Sequence, residues 1–234
     1  MGIKRQNGRH RHSMVLPVPT ALHIDFVSDV ACPWCAVGLA SLQQALAHSQ
    51  DAVQAELHFQ PFELNPDMPP GGEDVDEHLR RKYGSTPEQR AQIQATIRER
   101  GAAVGFAFKP DGRGRIVNTF NAHRLLHWAA LVGADKQLAL KRALLEAYHG
   151  RAERVDHDDV LLAAVRQVGL DIERARQILG SDEFADAVRA AERRWQMAGI
   201  QSVPAVVINE RHLISGGQPP EVFEQALRQI AAAQ

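Results

Sequence analysis

The chain contains two cysteines, and they stand together as Cys32-Pro33-Trp34-Cys35. On the first turn of a helix, positions i and i+3 share a face, so the two sulfurs can bond across a very short loop. The flanks place the pair on such a turn. Leu22, Ile24 and Phe26 alternate with His23, Asp25 and Val27, a period of two that predicts a strand over Leu22 to Ser28. After the cysteines, Leu39, Leu42, Ala45 and Leu46 recur at helical spacing, which predicts a helix starting near the pair. Pro33 suits its first turn, where the missing amide has no intrahelical partner and the fixed φ already matches.

Val53 to Phe62 alternates again as a second strand, and the prolines and glycines of LNPDMPPGGED end it. From about Val75 to Met197 the pattern becomes helical, with six or seven helices expected. One of them has Thr86 as N-cap, Pro87 at its first position and Glu88 in its first turn. Strand character returns in SVPAVVIN, and a turn at Asn209-Glu210-Arg211 leads into HLISGG, which predicts a hairpin. A helix from about Pro219 to Ala232 closes the chain. With 234 residues the chain suits one small domain carrying a large insertion better than two unrelated domains. The organisation expected is a flexible tail over 1–20, an α/β domain made of 21–66 and 200–234, and an all-helical insertion over 67–199.

A formal net charge of -1 gives no positive field for nucleic acid or an anionic membrane, so neither is expected as a partner. No run approaches the ~18 apolar residues of a membrane span. Lys4, Arg5, Arg9 and Arg11 precede Met14-Val15-Leu16, but Pro17 and Pro19 interrupt that segment at once, so it reads as a solvated leader rather than a signal peptide. A bacterial cytoplasmic location is expected on that basis. His10 and His12 would hold a metal only weakly, and a mobile leader is the simpler reading.

Three readings of the cysteine pair stand. A structural disulfide closing a loop of four residues would contribute only about 2 kcal/mol. A closed zinc site wants four ligands, and no third cysteine is present to join histidines such as His123 and His127. Redox chemistry fits best, and no residue is assigned as a metal ligand. Unpaired amides and the macrodipole at a helix start favour the thiolate of Cys32, making it the expected nucleophile. Cys35, one turn inside, is expected to be more buried and to resolve the mixed disulfide.

These residues resemble the thioredoxin-fold proteins of the DsbA family, and within it the FrnE-like branch. The resemblance rests on SDVACPWCAVG (Ser28 to Gly38), FELNP (Phe62 to Pro66), NTFNAHRLLHWA (Asn118 to Ala129) and ISGGQPPEVF (Ile214 to Phe223), in one order over about residues 22 to 232. It implies a thioredoxin-like α/β fold with a large helical insertion and a protein-disulfide oxidoreductase. It implies further that Pro204 is cis and faces the redox pair, with Ser202 and Val203 lining a peptide groove. Two departures bear on substrate preference. Ala36 replaces a bulky aromatic common after the second cysteine, implying a more open surface there, and Ser202 stands where many members have glycine.

On the NTFNAHRLLHWA helix Phe120, Leu126 and Leu131 are expected in the core, while Asn118, His123 and Arg124 are candidates to face the redox site. Pro33 and Trp34, on an exposed turn, are candidates for an apolar substrate-facing surface. Asp29 is positioned either to cap the helix or to bias the thiols. The function expected is disulfide exchange with protein or peptide thiols, with no cofactor beyond the Cys32-Cys35 disulfide and with glutathione a candidate reductant or ligand. Two alternatives remain: a glutathione-dependent isomerase or transferase of the kappa or 2-hydroxychromene-2-carboxylate type, whose members resemble this chain less at Cys32 and Cys35, and a chaperone-like groove without redox turnover.

Overall fold

The computed structural model describes residues 18–234. The basic leader, with His10 and His12, lies outside the described residues. The first strand, β1 (Thr20–Ser28), begins two residues earlier than its alternation predicts, because the Thr20 amide donates to the Ala52 carbonyl (2.9 Å) and extends the pairing into the segment assigned to the tail. β1 leads into α1 (Pro33–His48), and β2 (Val53–Pro61) returns parallel to β1.

The hairpin of β5 (Ala205–Ile208) and β6 (His212–Ser215) pairs antiparallel on the other side of β1, giving the sheet order β2-β1-β5-β6. Asn209 and Glu210 both have φ near +55°, as a tight hairpin turn requires. The last helix, α9 (Pro220–Ala232), packs beside α1. Leu22, Ile24 and Phe26 of β1 meet Leu39 and Leu42 of α1 and Phe223 and Leu227 of α9, all at most 2% exposed. This is the expected thioredoxin-like arrangement, and Cys32 and Cys35 belong to its core cluster.

Between β2 and β5 lie α2 (Val75–Tyr83), α3 (Pro87–Ala103), α4 (Phe120–Val132), α5 (Ala134–Leu145), α6 (Asp158–Gln167), α7 (Ile172–Leu179) and α8 (Ala185–Met197). A π turn, Glu146–Gly150, extends α5. Thr86 caps α3 as its sequence predicts, in a reciprocal capping box with Gln89. The helical pattern hides two strands of two residues, β3 (Glu73–Asp74) and β4 (Arg115–Ile116), which pair with each other.

The block has its own core, built on Leu125, Leu140, Leu144, Tyr148, Leu161 and Ile178. Leu126 joins it, but Leu131 is 68% exposed and Phe120 only half-buried, with the Arg189 guanidinium 3.9 Å from its ring centre. Helical spacing alone made Leu131 a core residue, yet it falls in the last turn of α4 on the solvent side. No helix among the described residues is long and apolar enough to cross a membrane.

Candidate active site

Cys32 is the N-cap residue of α1 and 4% exposed, while Cys35 inside the first turn is fully buried. Both are free thiols. Their amides tie the turn together: Cys32 N–H donates to Asp29 O (3.3 Å) and Cys35 N–H to Cys32 O (3.1 Å). The Val203-Pro204 bond is cis, and the Cys32 thiol donates to the Val203 carbonyl at 3.4 Å. Pro204 is buried against α1, where the absence of a side chain on Gly38 lets the helix approach. A Cβ there would lie 3.0 Å from Pro204 Cγ.

The two sulfurs differ as the turn dictates. A hydrogen bond from the Cys35 thiol holds Cys32 below the usual thiol range, outweighing its burial and the charge of Asp29. Burial, then the hydrogen bond to Cys32 and its charge, pushes Cys35 well above that range. The proton of Cys32 is therefore the more readily lost of the two, and Cys35, the more deeply buried, keeps its own.

The turn is fastened from both sides of the chain. Asp29 does not cap α1. Its Oδ1 accepts from the Ala31 amide (3.0 Å) and the Thr119 hydroxyl (2.8 Å) and lies 3.4 Å from His123 Nε2, while Oδ2 accepts from the Leu64 amide (2.7 Å). Burial pushes this carboxyl up, but the hydrogen bond and charge of His123, with the two amides, overcome it and bring it down to about 2. His149, fully buried, holds the Val30 carbonyl through Nε2 at 2.9 Å. Burial, and then the Arg113 charge, drive the His149 imidazole well below its ordinary pKa, so Nε2 donates and Nδ1 faces Arg113 at 3.4 Å as acceptor. Arg113 also donates to the Ala31 carbonyl (3.0 Å).

Of the residues singled out in the sequence, the structure brings Cys32, Cys35, Val203 and Pro204 together, with His123 reaching the same turn through Asp29. Pro33 and Trp34 are half-buried; Trp34 packs on the core cluster under the loop at Gly217, so its indole is only partly presented outward. Ala36 opens no surface, since it is 1% exposed on the inner face of α1. Ser202 is exposed, two residues before Pro204. Asn118 turns back to accept the Phe120 amide (2.9 Å). Arg124 points away from the thiols, donating to the carbonyls of Ile178, Ser181 and Glu183.

Thr119 lies within NTFNAHRLLHWA, where nothing distinguishes it from its neighbours. Arg113 and His149 carry no motif in the sequence, and neither does Lys141. This lysine, 1% exposed, lies on α5 between Leu138 and Leu145, which pack into the cluster holding Cys32 and Cys35. It forms no ion pair with a carboxylate among the described residues, and burial lowers its pKa against the pull of Cys35, Asp29 and Cys32. Its one sequence signal is a lysine at i+3 and i-4 from leucines of an apolar stripe.

A family model described as the DSBA-like thioredoxin domain matches residues 23–228. A probable DsbA oxidoreductase from Streptomyces coelicolor has a solved structure that superposes with a TM-score of 0.82 at 34% identity, over 91% of each chain. An uncharacterized protein of Bacillus subtilis, YwbO, is 24% identical over 88% of this chain and 96% of its own. A 2-hydroxychromene-2-carboxylate isomerase shares the fold alone, at 12% identity and a TM-score of 0.68 over 91% of this chain and 99% of its own. With a cysteine pair at the start of α1, a cis proline against it and a helical block between the two halves of the sheet, the chain belongs to the DSBA-like thioredoxin domain family.

Proposed function

We propose that the chain is a thiol-disulfide oxidoreductase that exchanges disulfides with protein or peptide substrates. The observation that carries this is the Cys32 sulfur at the Val203 carbonyl, beside the cis Pro204, with a second thiol protonated directly beneath it. In the reducing direction the Cys32 thiolate attacks one substrate sulfur, the substrate S–S bond breaks, and the other substrate sulfur leaves as a thiolate. Cys35 then gives up its proton and attacks Cys32 Sγ, releasing the second substrate thiol and forming the Cys32-Cys35 disulfide. Two electrons pass to the substrate, and the reverse sequence oxidises a dithiol. A small thiol such as glutathione is the class of co-reactant that would return the pair to the dithiol.

Val203, whose backbone faces Cys32, is the residue best placed to pair with an extended substrate, and Trp34 supplies an apolar flank. Replacing Cys32 by Ser is expected to abolish disulfide exchange in an insulin-reduction assay, and Cys35→Ser to accumulate a mixed disulfide visible on non-reducing gels. Full activity in Cys32→Ser would sink the proposal. Complete activity in Cys35→Ala that depends on bound glutathione would instead establish the isomerase chemistry.

A further inference from the structure

The face of β1 and β2 turned away from the core carries a set of residues that the redox chemistry does not use. Leu22, Ile24, Phe26, Val53 and Phe59 enter the core, so the alternate positions His23, Asp25, Glu56 and His58 share the other face. The parallel register sets His23 opposite Glu56 and Asp25 opposite His58. One ligand atom from each of His23, Glu56 and His58 lies within 4.8 Å of the others. The two imidazoles stack with centroids 4.5 Å apart and planes at 27°.

A neutral imidazole carries one ring nitrogen with a lone pair free to accept a proton donor or a metal ion. His58 Nε2 is buried and has no hydrogen-bond partner, although Glu56 Oε1 lies 3.0 Å away, out of hydrogen-bonding direction. His23 Nε2 lies 3.1 Å from Asp25 Oδ2, and Asp25, itself buried, is held by Gln60 Nε2 at 2.6 Å. A carboxylate behind an imidazole is the arrangement that fixes the ring of a metal-ligating histidine.

We propose that His23, Glu56 and His58 form a binding site for a divalent transition-metal ion, zinc being the representative, with Asp25 orienting His23. Two imidazole nitrogens and one carboxylate oxygen suit zinc and its neighbours, whereas calcium and magnesium require oxygen ligands. Bonds of 2.0–2.1 Å in a tetrahedron bring ligand atoms to roughly 3.4 Å from one another. The widest pair therefore has to close by at most about 1.4 Å, and the Glu56 and His23 side chains, 70% and 43% exposed, are free to do so. The fourth position faces solvent and takes a water. Because β2 is the edge strand of the sheet, the ion would clip that edge to β1.

The test uses the full chain, stripped of metal and with the cysteine pair oxidised so that no thiolate competes. Zinc is titrated against a chromophoric chelator, and the midpoint of thermal unfolding is followed with and without zinc. One equivalent is expected to bind and to raise the midpoint. His23→Ala and His58→Ala are expected to weaken that binding at least about ten-fold, and to remove the rise. A variant with both His10→Ala and His12→Ala is expected to bind as the parent does. Should His58→Ala fold poorly without metal, His23→Ala and Glu56→Gln, at exposed positions, carry the comparison. No zinc binding by the parent overturns the site, as do unchanged affinities in His23→Ala and Glu56→Gln, or binding that disappears with the leader histidines.

Discussion

Asp29 and Lys141 are two buried charges at the redox turn with opposite consequences. The carboxylate is fully used, with two amides, a hydroxyl and an imidazole directed at it. Its pKa falls from 3.8 to about 2 on folding, so it stabilises the fold above the unfolded value by about 2 kcal/mol, and that contribution is lost as pH drops through about 2. Asp29→Asn is expected to lose about that much at neutral pH in urea unfolding, with a flatter acid limb, because a carboxamide directs N–H groups at donors. Since the Asp29 charge raises the Cys32 pKa, the same variant is expected to show Cys32 thiolate absorbance at lower pH. Lys141 has no such partners. Lys141→Met is expected to leave stability unchanged or raise it. It is also expected to slow resolution of the mixed disulfide more than its formation, because Cys35 is the group this lysine acts on most. Rapid-quench kinetics of the two steps would reveal it, and equal slowing of both would contradict it.

At the scale of elements, α1 has to satisfy a helix and a neighbour at once. Alanine in place of a mid-helix glycine ordinarily gains up to about 1 kcal/mol. At Gly38, however, the new methyl would meet Pro204 Cγ at 3.0 Å and Gly217 Cα at 3.3 Å, and overpacking against ring and backbone costs about 1–3 kcal/mol. Gly38→Ala is therefore expected to be destabilising in urea unfolding and to reduce exchange activity, by displacing Pro204 from the thiols. An unchanged urea midpoint with full activity would show that the proline yields. Much of this level was legible in the sequence. Alternation located β1, β2 and the hairpin, Thr86 and Pro87 located the start of α3, and the CPWC turn located the reactive pair. The two-residue β3 and β4 were not legible, since a period of two cannot be read from two residues. Arg124 and Leu131 show the complementary limit. Helical spacing sorts residues onto faces but does not say which face meets which neighbour, and the α7–α8 loop that takes up Arg124 lies more than fifty residues away. Thr119, Arg113 and His149 were hidden for the same reason, as each acts on the turn from at least 82 residues away.

At the scale of the whole molecule, the seam between the sheet layer and the helical block contains a cavity of about 150 Å³ lined by Glu63, Arg189 and Glu192. Both glutamates are 5% exposed, and one Arg189 nitrogen contacts the two carboxylates. Burial, then the Glu192 charge, pushes Glu63 up to about 8, against the pull of Arg189. A group raised on folding stabilises fully below its unfolded value near 4.5, and that contribution is lost as pH rises through about 8. Glu63→Gln is thus expected to lose less stability than the parent between about pH 5 and about pH 9, measured by urea unfolding of the oxidised protein. Parallel pH profiles would remove the assignment. The fastening of the redox turn by distant residues also bears on how the protein is made. The Val30 carbonyl waits 119 residues for His149, which at about 5 to 20 residues synthesised per second is roughly 6 to 24 s. During that interval the turn exists without the imidazole that holds its Val30 carbonyl, so its last fastening is made only after the helical block is complete.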